Sequence, residues 1–189
     1  MSFLDAFQGY YQIPLALDDQ ERTDFVTPVG NYHYKVMPFD LKNAGATYQW
    51  MMTRMFEPQL GKTIKIYIND MVVKSKAESE HISDLGNIFD ILRKHKLQLN
   101  ASKCSFGVGF GNFLGYMVTH HGIEVNPDQI RVINNLQPPQ NPKEVQKLTR
   151  MTATLNWFIS RSADRCRPFF KFLNKWKGFE WTDECARAF

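Results

Sequence analysis

Apolar and polar positions along the chain alternate between two periods. Ser2 to Phe7 is short and mostly apolar and runs through Gly9 into Tyr10-Tyr11-Gln12-Ile13, which predicts a strand passing into a helix with Asp5 at the strand end. So little chain precedes Asp5 that limited strand pairing is expected, as in a truncated product. Phe25, Val26, Val29, Tyr32, Tyr34 and Val36 surround Pro28-Val29-Gly30-Asn31, turn chemistry that predicts a hairpin between Asp24 and Met37. From Lys42 to Phe56, Ala44, Tyr48, Met51, Met52, Met55 and Phe56 recur at helical spacing, and Pro58 ends the run. Ile64, Ile66 and Ile68 then alternate with polar neighbours, Asn69-Asp70 interrupts, and Met71 to Val73 resume, predicting a tight hairpin.

Ser79 is the expected cap of a helix whose inward stripe is Ile82, Leu85, Ile88, Phe89 and Leu92. Leu97, Leu99, Cys104, Phe106 and Val108 read as strand, and Phe113 to Thr119 with Ile123 and Val125 flank a turn at His120-His121-Gly122. The pattern then changes. Asn126-Pro127 and Asn141-Pro142 are both helix starts, a capping residue followed by proline in the first turn, with Glu144 suitably placed after the second. Val145, Leu148, Leu155 and Phe158 supply a buried face, Pro138-Pro139 separates the two helices, Pro168 to Trp176 predicts a short helix, and Thr182 caps another. The expected class is α+β: an antiparallel sheet with packed helices over residues 1–125, and a helical unit over 126–189.

Composition narrows the function classes only a little. With 189 residues, 43% apolar and 22% charged, the chain is an ordinary globular sequence, and its net charge of +4 permits a polyanionic partner without requiring one. Its three cysteines, Cys104, Cys166 and Cys185, are unpaired by spacing, which predicts reduced thiols and an intracellular, non-secreted protein. No apolar run reaches membrane-spanning length.

Two carboxylates stand out, Asp5 and Asp70, each at the end or turn of an apolar strand, where an ionised group is costly unless water, a partner or a metal compensates. An aspartate opening a turn after a strand is the plainer reading of Asp5, and hairpin punctuation that of Asn69-Asp70. His120-His121 lacks further ligands at metal spacing, and Gly107, Gly109 and Gly111 lack the strand-to-helix context and lysine of a phosphate loop.

The order of several segments adds to this. FLDAFQGYYQI, YKVMPFDLKNAGATYQ, YIND, LQLNASKCSFG and FLGYMVT resemble, in sequence, successive motifs of reverse transcriptases from Gypsy-type LTR retrotransposon pol polyproteins, with plant elements the nearest in character. The segment from NPDQIRVINNLQ to FEWTDECARAF is similar to the family's thumb and the stretch leading toward ribonuclease H. The resemblance implies a palm followed by a thumb, with the fingers absent. It implies RNA-directed DNA polymerase chemistry: template-directed attack of a primer 3′-hydroxyl on a deoxynucleoside triphosphate, with RNA template and DNA primer as partners. Two Mg2+ or Mn2+ ions about 3.5–4 Å apart assist this reaction.

By the same resemblance, Asp5 and Asp70 are metal-binding catalytic residues and Lys103 assists the leaving pyrophosphate, although as a bare residue Lys103 reads as surface. Tyr10, Phe39, Asp40, Gln49 and Tyr67 are nucleotide or template positions, with core packing the plainer reading of Tyr10. Phe113, Leu114, Gly115 and Tyr116 match the primer grip, although as bare residues they read equally as strand core. Apart from the resemblance, Lys143, Lys147, Arg150, Trp157 and Arg161 are candidate contacts to duplex phosphates, with a solvated helix face the plainer reading of each. The chain departs from the family at two places. Asn69 stands where the motif has aspartate, which removes one full negative charge from a two-metal site and implies impaired or lost catalysis. Asp40 stands where glycine is expected, bringing bulk and charge and, if the position needs positive φ, backbone strain; a side chain pointing to solvent is the alternative. A non-catalytic nucleic-acid or protein binding module derived from a retroelement is the other reading.

Overall fold

The structure is a computed structural model that describes residues 1–173 and 181–189, with side-chain surroundings given through Lys171 and from Trp181 onward. The chain divides into two compact units, one of Met1–Leu114 with Val118–Gly122, the other of Gly115–Met117 with Ile123–Phe189.

The first unit is built on an antiparallel sheet. Strand β1 (Ser2–Asp5) pairs along its whole length with β5 (Asp70–Val73), which pairs in turn with β4 (Ile64–Tyr67), giving the order β1-β5-β4. The limited pairing expected for β1 is therefore corrected. Its other edge is occupied too. Phe3 and Ser105 exchange backbone hydrogen bonds of 2.7 and 2.8 Å, and Ala6 bridges to Leu99. The segment expected to be a strand from Leu97 to Val108 thus meets β1 through isolated bridges and single bonds, among them one of 2.8 Å from the Asn100 amide to the Asp5 carbonyl. Between the bridges the chain loops out at Asn100, whose carbonyl accepts from the amides of Lys103 and Cys104 while its side chain accepts from the Ser102 hydroxyl.

Two helices bury their apolar faces on this sheet. In α2 (Ala44–Met55), Ala44, Tyr48 and Met52 are buried, and Phe56 continues the same face just past the helix. Each large side chain so buried contributes about 1.5–3 kcal/mol. In α3 (His81–Lys94), Ile88 and Leu92 are buried, but Ile82, expected to point inward, is 83% exposed. Ser79 does not cap this helix either. Glu78–Glu80 forms a 3₁₀ turn, the helix begins at His81, and this start rotates His81, Leu85, Ile88 and Leu92 toward the sheet. A short helix α1 (Leu17–Gln20) precedes a hairpin of β2 (Phe25–Thr27) and β3 (Gly30–Tyr32), in which Phe25 stacks on Tyr32 while Val26 and Val29 lie in solvent.

His81 is a buried polar residue, as is Ser2 beside it. Its ring shares hydrogen bonds with the hydroxyls of Ser2 (2.8 Å) and Ser75 (2.9 Å), and the Gly107 amide donates to Ser2, so one network joins β1, the end of the hairpin, α3 and a loop. Burial first, then the Met1 ammonium, holds the imidazole below its ordinary value of 6.5, with Asp84 opposing. The folded state therefore prefers neutral His81. Its contribution is complete above the ordinary value and is lost as pH falls through the lowered folded one. Urea midpoints measured between about pH 8 and pH 5 should fall on acidification, and His81→Gln should flatten that part of the profile.

The strands β6 (Gly111–Phe113), β7 (Tyr116–Val118) and β8 (Ile123–Glu124) lie where the chain passes between units. The second unit is helical. Asn126 caps α4 (Pro127–Asn134) by accepting from the Asp128 amide, and Asn141 caps α5 (Pro142–Thr154) by accepting from Glu144, whose carboxylate accepts from the Gln140 amide and the Asn141 side chain. Val145 and Leu148 join Cys166, Phe169 and Cys185 in its core. Phe158, expected in that core, is partly exposed instead, because α5 ends at Thr154 and the chain turns through Asn156–Phe158 to set this ring against Tyr116.

The helix expected to start at Pro168 starts earlier. It is α6 (Ser162–Leu173), with Pro168 inside it, because burial of Cys166 and Phe169 on either side of the proline outweighs the missing hydrogen bond. Trp176, its expected end, lies outside the described residues. Thr182 caps α7 (Asp183–Ala188) as expected, accepting from Cys185. All three cysteines are free. Among the described residues no helix is long and apolar enough to cross a membrane.

Candidate polymerase site

Asp5 closes β1 and Asp70 opens β5, and the antiparallel register sets them directly opposite each other. The hairpin between β4 and β5 turns in two residues, Ile68 and Asn69, since Tyr67 already pairs with Asp70. This corrects the expected Asn69-Asp70 turn by one position. Asp70 is thereby a strand residue sharing a sheet face with Asp5 rather than turn punctuation. Ile68 has φ 51°, a left-handed conformation that suits glycine and costs a β-branched residue about 1–3 kcal/mol.

The loop at Asn100 brings a cation to this pair. Lys103 Nζ lies 3.9 Å from Asp5 Oδ2, with the lysine side chain 65% exposed and that of Asp5 22%. An ion pair that open contributes little to stability, so its interest is in where it puts the charge. Asp5, Asp70 and Lys103 line one cleft together with Phe3, Leu4, Met71, Asn112 and Phe113. Burial, then Asp5, pushes the Asp70 carboxyl above the usual carboxylate range, and Lys103 pulls the other way.

Asn69 is not part of that cleft. Its side-chain oxygen is buried without a hydrogen-bond partner, as is the Tyr48 hydroxyl. Both pack around Gly9: a Cβ there would sit 2.3 Å from Asn69 Oδ1 and 2.7 Å from the Tyr48 oxygen. The backbone of Asn69 is tied to β1 by the Ala6 amide, which donates to its carbonyl at 3.1 Å. Burial above all, with Tyr10 and Asp5 adding to it, raises the Tyr48 phenol well above its ordinary value.

The remaining expected positions distribute as follows. Tyr10 packs edge-on against Phe39 and Tyr48, at 5.3 and 5.4 Å between centroids, so it borders both the core and the half-exposed Phe39 ring. Tyr67 is half exposed. Asp40 is exposed and has φ 70°, so the backbone adopts the left-handed conformation that glycine favours, with an aspartate bearing its cost. Gln49 reaches the hairpin: its Oε1 accepts from the Ile68 amide at 2.7 Å and its Nε2 donates to the Ile66 carbonyl at 3.3 Å. Phe113 and Leu114 fall in the first unit, Gly115 and Tyr116 in the second. Leu114 (φ 55°) and Gly115 (φ 81°) make a turn of consecutive left-handed residues. In the second unit the Tyr116 hydroxyl donates to the Thr154 carbonyl. Gly9 and Tyr48 as neighbours of position 69, and Asn112 as a cleft residue, carry no sequence signal beyond a glycine near a carboxylate and an apolar helical position.

Magnesium is the ion that the family resemblance implies, so the donor set has to be compared with what it needs. It usually takes one or two protein carboxylates, with waters and substrate phosphates completing an octahedron. Asp5 and Asp70 meet that requirement for one ion; burial first, and the Asp5 charge second, raise the Asp70 carboxyl, and a cation between the two would offset both. No group of three or more His, Cys, Asp or Glu able to hold a metal is found among the described residues. Asn69, turned toward Gly9, does not extend the set.

An antiparallel sheet backed by helices is a fold found in solved reverse transcriptases. Solved structures of the foamy viral protease-reverse transcriptase share it: the complex with double-stranded DNA superposes with a TM-score of 0.88 at 22% identity over 99% of this chain and 33% of that one. The complex with an RNA/DNA hybrid gives 0.85 at 21% identity, over 99% of this chain and 26% of that one. Residues 1–118 match the family described as reverse transcriptase (RNA-dependent DNA polymerase), and the chain belongs to that family. It is 33% identical over 172 residues to the retrovirus-related Pol polyprotein from transposon 297 of Drosophila melanogaster, covering 91% of this chain and 16% of the relative. To the Pol polyprotein from transposon 412 of the same organism it is 32% identical over 188 residues, covering 100% of this chain and 15% of the relative. The corresponding polyprotein from transposon gypsy is 27% identical over 170 residues, 90% of this chain and 16% of the relative.

Proposed function

We propose that this chain is the palm (1–125) and thumb (126–189) of an RNA-directed DNA polymerase from a Gypsy-type retroelement, acting inside the cell on an RNA template, a DNA primer and deoxynucleoside triphosphates, with catalysis impaired at Asn69. The observation that carries it is the register that sets Asp5 opposite Asp70 in a cleft beside Lys103. The reaction forms a bond between the primer 3′-oxygen and the α-phosphorus, breaks the bond to the pyrophosphate oxygen and releases the 3′-hydroxyl proton.

In this reading Asp5 and Asp70 hold Mg2+ or Mn2+, and the metal supplies charge neutralisation at the phosphates. Lys103, exposed and beside Asp5, offers its ammonium to the departing pyrophosphate. Tyr10, Phe39 and Tyr67 present aromatic surface to nucleotide and template, and Phe113 to Tyr116 position the primer end. Lys143, Lys147 and Arg150 on α5, with Trp157 and Arg161 beyond it, present cationic and aromatic groups to duplex phosphates.

The test is anisotropy of a labelled RNA/DNA hybrid against salt, alongside Mn2+ binding and primer extension by the unmodified chain. Expected are hybrid binding that weakens steeply as salt rises, Mn2+ binding lost in Asp5→Asn, and feeble extension. Hybrid binding without Mn2+ binding or extension would favour a non-catalytic nucleic-acid binding module, and absence of hybrid binding would overturn the polymerase reading and leave a protein-binding module.

A further inference from the structure

Gln49 offers the one side chain on α2 that spends both ends of its carboxamide on the hairpin that carries Asp70. In the sheet order β1-β5-β4, β4 is the edge; its outward-facing Ile64 groups pair with Gln59 and Gly61, while those of Ile66 have no strand partner among the described residues. Ile66 lies in β4 and Ile68 opens the turn, one on either side of Tyr67, which pairs with Asp70. Gln49 meets both of them, accepting from the Ile68 amide and donating to the Ile66 carbonyl, much as one residue of a further strand would. It does so from a rigid base, since its neighbours Tyr48 and Met52 on the same helix are fully buried.

The place where it acts is the strained one. Ile68, at φ 51°, holds a conformation a β-branched residue keeps only when its surroundings over-determine it. The Gln49 bond fixes the Ile68 amide, and the Ala6 amide fixes the following carbonyl, that of Asn69, against β1. Between them they set where β5 begins, and β5 begins with Asp70.

We propose that Gln49 is a positioning residue that holds the Ile68–Asn69 turn with its carboxamide and thereby sets Asp70 opposite Asp5, rather than a residue that contacts nucleotide or template. This rests on the reading of Asp5 and Asp70 as the catalytic pair.

Native-state hydrogen exchange on the unmodified chain, Gln49→Met and Gln49→Glu tests the geometry without any need for activity. Gln49→Met keeps the length of the side chain but loses both bonds, and Gln49→Glu keeps the acceptor. The Ile68 amide should exchange about 10-fold faster in Gln49→Met and be restored in Gln49→Glu, with Met71 and Val73 unchanged. In the Asn69→Asp chain, Gln49→Met should lower kcat for primer extension by about 10-fold and leave KM for the nucleotide near its starting value. An Ile68 amide equally protected in all three chains would overturn the proposal, as would a rise in KM at constant kcat, the signature of a substrate contact. If the Asn69→Asp chain does not extend at all, the polymerase reading fails, and the exchange result still decides whether Gln49 holds the turn.

Discussion

Asn69→Asp is expected to raise metal-dependent primer extension by a factor on the order of 10²–10³, the scale on which removing one transition-state charge contact acts in other enzymes. The expectation follows from where the asparagine sits. Its oxygen occupies a buried, partnerless position between Gly9 and Tyr48, a place a neutral amide tolerates. A carboxylate there would be desolvated beside a phenol that burial has already pushed up, and close to Asp5 and Asp70. It therefore turns out of that pocket toward the cleft, where water and a cation can solvate it. Without metal the added carboxylate is a burden, because burial and then the Asp5 charge already raise the Asp70 carboxyl. The variant should thus melt below the parent in chelator and gain more than the parent when Mn2+ is added, since a ligand bound only by the folded state stabilises it by mass action. Primer extension and thermal melts with and without Mn2+ read the two halves separately. Equal extension by parent and variant would show that position 69 does not limit catalysis.

Gly9→Ala is expected to cost about 1–3 kcal/mol of stability, the usual range for forcing extra bulk into packed surroundings. The new methyl has no free direction. It would lie 2.3 Å from Asn69 Oδ1 and 2.7–2.8 Å from the oxygen and ring carbon of Tyr48. Tyr48 is fully buried and cannot swing away, so the yielding element is the turn at Asn69, and the hairpin shifts with it. Urea denaturation measures the cost, and adding Asn69→Ala to Gly9→Ala tests the cause. Removing the amide should recover part of the loss, as a non-additive coupling of about 1 kcal/mol between residues in contact. Strict additivity would mean that Gly9 and Asn69 do not share the pocket.

Much of the secondary structure was legible because local signals agreed with the final packing. The Asn-Pro starts of α4 and α5 are set by cap and proline chemistry within a few residues, and the Ile64 to Val73 alternation is set by a period that only a hairpin satisfies. Where the reading slipped, packing between distant residues had prevailed. Pro168 has the local signature of a helix start, but Cys166 and Phe169 bury on both sides of it and the helix runs through. Ile82 looked inward until a start at His81 turned the helix so that this histidine, bonded to Ser2 and Ser75, took the buried place.

The candidate site divides in the same way. By itself the sequence determined the α+β order, the caps at Asn126, Asn141 and Thr182, the two aspartates at strand ends and the family to which their motifs point, because each of these is carried by neighbouring residues and by their order. Only the tertiary structure decided that Asp5 faces Asp70, that the Asn100 loop carries Lys103 beside them, that Asn69 turns toward Gly9 and Tyr48, and that Gln49 holds the turn. Those placements depend on strand register, on a left-handed residue at Ile68 and on close packing at Gly9. They join positions far apart in the chain, where no periodicity reaches.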